Sequence, residues 1–291
     1  MAERTLADAF AAAASRHGSR RCLVVWSSEK DTIDQTVTFA AFFERAQKIA
    51  GRLRSCATSP DGVGGVAVLS GPTAAYFACA AGILCADGHV IGVNARFAPS
   101  IFANAIIAAN AQTVITSSAL SARCEEATSA CPQMAKLPRL VLEPFVLAAD
   151  DSPPQPTSVA GRPTRKVDAQ DVAAIMFTSG STGTPKCVPL THGGLLWSCH
   201  AKLAAHGGME ALARPDEAEP GGTLSFLPVF HVMGFTNNWL FNMVSGWPTL
   251  VHLEAESRGT DADLLAAAVS TLRPAIVDTV PHLLETLAVQ S

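Results

Sequence analysis

An α/β fold with mostly parallel β-sheets flanked by helices is predicted by three features of this 291-residue sequence. Short β-rich apolar runs alternate with longer segments whose apolar residues recur at helical spacing. An uncharged stretch of 25 residues between Asp61 and Asp87 is broken by Ser70-Gly71-Pro72, as a buried strand turning into a buried helix would be. An apolar run from Val172 to Phe177 leads into a loop of glycines and hydroxyls, then into a helix-like segment from Leu190 to Ala205. Alternation of this kind folds as a parallel sheet covered by helices.

The elements follow in order. Met1 to Arg21 is Ala- and Arg-rich and helical in pattern, as transit peptides are. Glu3, Asp8 and the lack of an apolar core count against a cleavable leader. Strands are expected at Cys22–Trp26, Val66–Leu69, His89–Val93, Thr113–Thr116 and Arg139–Leu142. Further strands are expected at Val172–Phe177, Leu224–Leu227, Thr249–Leu253 and Ala275–Thr279, with helices between most of them. Asp261 and Asp263 open a helix over Leu264–Leu272, where acidic groups suit the positive end of the dipole. The Pro-rich stretch from Asp150 to Arg165 is the expected internal boundary. It divides an α/β subdomain over 1–150 and a linker over 151–165 from a second α/β subdomain over 166–291.

Composition removes several function classes. With 48% hydrophobic and 16% charged residues, the chain has enough apolar surface for a large core and is not disordered. A net charge of −4 gives no basic surplus for nucleic acid or an acidic membrane. The apolar run after Pro72 covers only Ala74–Ala86, too short for a membrane span of about 20 residues. The 8 cysteines include no C-x-x-C pair and read as reduced thiols of a cytoplasmic protein. His192, His200 and His206 lack an H-E-x-x-H arrangement, so no protein-held metal is expected.

The loop Thr178-Ser179-Gly180-Ser181-Thr182-Gly183-Thr184-Pro185-Lys186-Cys187 carries the chemistry. Glycines let backbone N–H groups approach an anion, hydroxyls donate, and a lysine adds positive charge. A Walker A loop fails because Lys186 stands three places after Gly183. A nucleophile elbow on Ser181 fails because Ser179 occupies a required glycine position. A dinucleotide fingerprint ending in Gly180 and Gly183 fails because Thr178 stands where its first glycine belongs.

The loop resembles the [ST]-S-G-[ST]-T-G-x-P-K-G signature of the adenylate-forming (AMP-binding) enzymes, which include acyl-CoA synthetases and nonribosomal-peptide adenylation domains. Nine of ten positions match, the departure being Cys187 in place of glycine. Lys186 followed by Cys187-Val188-Pro189 is similar to the loop of fungal carboxylate reductases of the aminoadipate type. Beside Lys186, Cys187 reads as a low-pKa thiol or, more simply, as a small packing residue. Leu227-Pro228-Val229-Phe230-His231-Val232-Met233-Gly234 resembles the family's L-P-x-x-H-x-x-G motif. Val37-Thr38-Phe39, Asn94-Ala95-Arg96-Phe97 and Val280-Pro281-His282-Leu283-Leu284 resemble further family segments.

The resemblance implies the N-terminal part of the adenylate-forming synthetase fold, truncated before the C-terminal domain. The family's Tyr-Gly-x-Thr-Glu motif, ribose-binding Asp, hinge Arg and C-terminal Lys have no counterparts in the 291 residues. It implies activation of a carboxylic acid by Mg-ATP to an acyl-adenylate, then transfer to CoA or a phosphopantetheine carrier, as part of a longer enzyme. The alternatives are a non-catalytic remnant that at most binds nucleotide, and the adenylation module of a carrier-plus-reductase protein. By the same resemblance Thr178, Ser179, Gly180, Ser181, Thr182, Gly183 and Lys186 hold phosphate. Lys186 and Thr182 serve catalysis, and Phe230, His231 and Gly234 border the acid. Amino-acid-activating relatives carry an Asp after the Phe, where this chain has His231. That difference implies an acid without a free α-amine, because a buried ammonium needs a carboxylate partner. As an alternative, His231 reads as a helix-start or core histidine bonded to backbone.

Overall fold

The computed structural model describes residues 3–57, 62–94, 96–147, 167–178, 185–208, 221–253, 261–281 and 283–285. Contacts group the chain into two units. One comprises Met1–Asp8, Phe43–Ser70 and Ala75–Leu195. The other comprises Ala9–Phe42, Gly71–Ala74 and Leu196–Ser291. The Pro-rich stretch expected as the boundary, Asp150–Arg165, lies wholly outside the described residues. The contact grouping does not follow it, because the strands on either side of the phosphate loop join the sheet of the preceding residues.

The first unit is built on six strands in the order β6-β5-β3-β4-β7-β8. These are β3 (Gly65–Leu69), β4 (His89–Gly92), β5 (Ala111–Thr116), β6 (Arg139–Val141), β7 (Val172–Thr178) and β8 (Lys186–Thr191). All neighbours are parallel except β7 and β8, which pair antiparallel. Strand β3 is buried along its whole length, which explains its continuous apolar run. Helix α3 (Ala74–Cys85) follows and is buried from Tyr76 to Leu84. A helix apolar all round is an interior helix, so the uncharged stretch folds as the expected strand, turn and helix. No helix among the described residues is long and apolar enough to cross a membrane. One core cluster gathers Leu69, Ile91 and Val114 of the sheet with Phe102, Ile106, Cys124 and Ala127 from α4 (Pro99–Ala108) and α5 (Ser121–Ala130). A short helix, α6 (Leu142–Leu147), follows β6 directly.

The second unit has four strands in the order β2-β1-β10-β9. These are β1 (Arg21–Ser27), β2 (Thr32–Thr38), β9 (Thr223–Ser225) and β10 (Thr249–His252). Strands β1, β10 and β9 run parallel, and β2 is an antiparallel edge. Val24, Trp26, Leu224 and Leu250 pack with Leu264, Leu265 and Ala268 of the helix Ala262–Leu272. Asp261 caps that helix, its Oδ1 accepting the N–H groups of Asp263 (3.1 Å) and Leu264 (3.2 Å). Asn242 spans two strands: its Oδ1 accepts from Thr223 (2.8 Å) and its Nδ2 donates to Thr249 Oγ1 (3.1 Å).

Three expectations are corrected. The helix read from Leu190 begins at His192, because Leu190 and Thr191 pair with Ala174 and Val172 as the end of β8. The strand expected at Ala275–Thr279 is reduced to a single parallel bridge between Thr223 and Ile276. Strand β2 is an addition to the expected set: five of its seven residues are exposed, so it lacks the alternation that marks a half-buried strand.

Glycine at position 82 is set by packing within the first unit. A Cβ there would stand 2.3 Å from Ile49 Cγ2 and 2.7 Å from Ile49 Cβ, on helix α2 (Phe39–Cys56). Gly82→Val is therefore expected to destabilise the protein by about 1–3 kcal/mol, with a lowered Tm in thermal unfolding.

Candidate functional site

Strands β7 and β8, which flank the Ser/Gly-rich loop in the sequence, pair antiparallel as the two arms of a hairpin. Strand β7 is apolar because Ala173, Ala174 and Met176 are buried, and it pairs with β4 at Val90↔Ala174 and Ile91↔Ile175. Its last residue, Thr178, is exposed and stands directly across from Lys186, the first residue of β8. The two ends of the loop are thus held in one register at the carboxyl end of β7. In open α/β sheets that rim is where ligands bind. Lys186 is exposed and has no carboxylate partner among the described residues, so its charge faces solvent. Ser179, Gly180, Ser181, Thr182 and Gly183 lie outside the described residues.

Cys187 is exposed beside Lys186 and pairs with Phe177. Loss of water around its sulfur pushes the thiol up, which runs against the low-pKa alternative to a simple packing residue. The side chain is neither activated nor packed in a core. Pro189 stands opposite Ile175 on β8, the outermost strand, where a residue without N–H is tolerated.

The base of the hairpin is closed by a second set of bonds that the sequence did not reveal. Helix α7 (His192–Ala205) starts immediately after β8. Thr191 Oγ1 accepts the N–H of Gly194 at 3.1 Å. The N–H groups of His192 and Gly193 donate to the carbonyls of Asp171 (3.0 Å) and Ala169 (2.8 Å), in the turn that precedes β7. His192 is buried, and its Nδ1 accepts the backbone N–H of Leu6 at 3.1 Å. Burial pushes the imidazole down, against the opposing pull of Asp171, Asp87 and Asp8. The segment donating that bond is itself fixed. Thr5 and Asp8 cap helix α1 (Leu6–His17) reciprocally, and Arg4 pairs with Asp168 at 2.7 Å.

Phe230, His231 and Gly234 belong to the second unit. His231 is exposed at the start of the short helix Val232–Phe235, and its Nδ1 accepts the N–H of Met233 at 3.3 Å. Its own N–H donates to Pro228 O at 3.0 Å. The helix-start alternative therefore describes part of what His231 does. Phe230 is half-buried beside it. Gly234 is buried against the preceding turn, where a Cβ would meet Pro228 O at 2.3 Å and Leu227 O at 2.8 Å. The L-P-x-x-H-x-x-G spacing thus places the glycine where the helix folds back onto the Leu-Pro carbonyls. A π-helical turn, Thr236–Leu240, continues the segment. Thr178 and Lys186 are brought together in one unit, and Phe230, His231 and Gly234 in the other.

The profile of the AMP-binding enzyme family matches residues 10–291. The chain belongs to that family. Among its relatives are a feruloyl-CoA synthase from Amycolatopsis sp, 30% identical over 141 residues, and long chain acyl-CoA synthetase 8 from Arabidopsis thaliana, 33% identical over 121 residues. The alignments cover 48% and 39% of this chain but 24% and 15% of those relatives. The N-terminal domain of FACL13 from Mycobacterium tuberculosis superimposes with a TM-score of 0.75 at 19% identity, over 98% of this chain and 65% of that one. MenE from Bacillus subtilis, in complex with AMP, gives 0.72 at 16% identity, over 97% and 64%. The α/β fold is that of the N-terminal domain of adenylate-forming enzymes, and this chain spans part of the length of its relatives.

Because Pro228 O is backbone and cannot swing aside, Gly234→Ala is expected to destabilise the protein by about 2 kcal/mol or more. Thermal unfolding reads the loss.

Proposed function

We propose that this chain supplies the phosphate-binding hairpin and part of the acid-binding surface of an ATP-dependent acid–thiol ligase. The carrying observation is the register that sets Thr178 across from Lys186 at the mouth of the Ser179–Pro185 loop. Joining a carboxylate to the α-phosphorus of ATP brings two anions together, so alignment and charge neutralisation are the main requirements. Lys186 is an exposed cation without a carboxylate partner among the described residues, which suits a group held for phosphate. The hydroxyls of Thr178, Ser179, Ser181 and Thr182 add neutral donors. Gly180 and Gly183 admit the phosphate oxygens to the backbone. Magnesium arrives with the nucleotide, and no cluster of possible metal ligands occurs among the described residues.

The acyl-adenylate then passes to a thiol. The acyl-CoA synthetase relatives favour CoA, and a hybrid PKS-NRPS synthetase from Acremonium sp, 45% identical over 75 residues, marks a carrier thiol as the alternative. The acid carries no free α-amine in this reading. His231 follows Phe230, and no acidic residue occurs anywhere in 221–253 to pair with an ammonium.

Calorimetric titration of the chain with Mg-ATP tests the nucleotide half of this reading. Lys186→Ala is expected to weaken binding about tenfold or more, the scale of a lost charge-assisted hydrogen bond. Equal affinity in wild type and variant would falsify the role. In the longer enzyme, ATP–pyrophosphate exchange is expected with simple carboxylic acids and not with their α-amino analogues; the reverse preference removes the substrate assignment.

A further inference from the structure

We propose that His192 is a positioning residue for the phosphate-loop hairpin: its neutral ring clamps the N-terminal segment 4–8 against the hairpin's base, and a proton on Nδ1 releases the clamp. The proposal rests on the nucleotide-binding reading above. In that reading His192 does not contact the nucleotide, and it acts through the backbone it holds at Leu6 and Asp171.

The geometry fixes the protonation state. Nδ1 accepts the N–H of Leu6 at 3.1 Å, so the ring proton resides on Nε2. His192 is 1% exposed, and water cannot replace a lost partner. A second proton would set an N–H on Nδ1 against the N–H of Leu6, two donors facing each other in a buried place. An unsatisfied buried donor is costly, so the contact opens rather than tolerating the proton. The backbone of His192 and of its neighbour Gly193 ties the end of β8 to the turn before β7, through His192 N–H to Asp171 O and Gly193 N–H to Ala169 O. On the other side of that turn, Asp168 accepts from Arg4. Segment 4–8 thus grips both feet of the hairpin, one through Arg4 and Asp168, the other through Leu6 and His192.

The surrounding charges set the direction of the pH response. Asp8 on α1, Asp171 before β7 and Asp87 after α3 favour the imidazolium, while burial and His89 on β4 oppose it. Burial is the largest of these, so the clamped state binds fewer protons than the released one. The clamp is therefore complete above the ordinary histidine range and is lost as pH falls below it.

An asparagine carboxamide in place of the imidazole would keep an oxygen near the Nδ1 position without a titrating group, so His192→Asn separates the clamp from its switch. Amide hydrogen exchange at Leu6, corrected for intrinsic rate, reads the clamp without any ligand. Between about pH 7.5 and about pH 5.5 wild-type protection is expected to fall on the order of tenfold, and His192→Asn protection to stay constant. Wild-type protection that does not change overturns the proposal. Calorimetry with Mg-ATP over the same range reads the hairpin. Affinity is expected to fall on the order of tenfold further in wild type than in His192→Asn. Opening of the clamp with the same pH dependence of affinity in both proteins overturns the positioning role. Absence of Mg-ATP binding at every pH removes the nucleotide reading, and with it the positioning role, while the exchange data still decide the clamp itself.

Discussion

The pairing of β8 on β7 is the constraint on which the candidate site depends. A glycine- and hydroxyl-rich loop has little conformational preference of its own, since glycine loses more backbone freedom on ordering than any other residue. Here the loop's ends are held across from each other by the register Thr178↔Lys186, with unbroken pairing down to Ala174↔Leu190. The parallel pairing of β7 with β4 carries the hairpin on the six-stranded sheet. A lysine at the first position of β8 is in this way given a fixed root without being buried, so its charge keeps its solvent contact.

The interior of the first unit achieves such rigidity with few polar contacts. Strand β3 and helix α3 are buried without a single charged residue, and small side chains let elements approach closely. At Gly82 the approach of α2 is close enough that even one methyl group would collide with Ile49. The second unit achieves order differently. Asn242 satisfies a buried amide by bridging Thr223 and Thr249 across neighbouring strands and by donating to Asn238 O at 3.0 Å. The half-buried pair Lys202–Asp278 adds a charged contact, with the Lys202 ammonium also 4.6 Å from the Phe241 ring centroid.

What could be read from the sequence follows from where its physical causes lie. Strands β3 and β7 and helix α3 were legible because burial dictates their composition locally. Strands β2 and β8 were not: one is a mostly exposed polar edge, and the other carries Pro189 and runs directly into a helix, so the apolar residues Leu190, Leu195 and Leu196 looked like one helical series. The segment Ala275–Thr279 had strand composition, but only Ile276 finds a bridge partner, so β-propensity overstated it. The loop Thr178–Cys187 was legible as a family motif because the pattern of its glycines, hydroxyls and lysine is specific to that family. The role of His192 was not, because its partner Leu6 lies 186 residues away in the chain. The reason for Gly234 was equally hidden, since it resides in the position of a carbonyl oxygen rather than in any side chain.

Pro189 has a consequence beyond the hairpin. Strand β8 is the rim of the six-stranded sheet, and its outward backbone groups would otherwise form a ladder on which another chain could extend the sheet. Pairing with β7 continues on both sides of Pro189, as it would with the ring nitrogen directed outward. A proline there withholds a donor midway along a six-residue strand, and its ring stands in the path of an incoming strand. The residue that obscures β8 from a reader of the sequence also removes a hydrogen-bond donor from the rim of the sheet, where an unbroken ladder would favour edge-to-edge pairing.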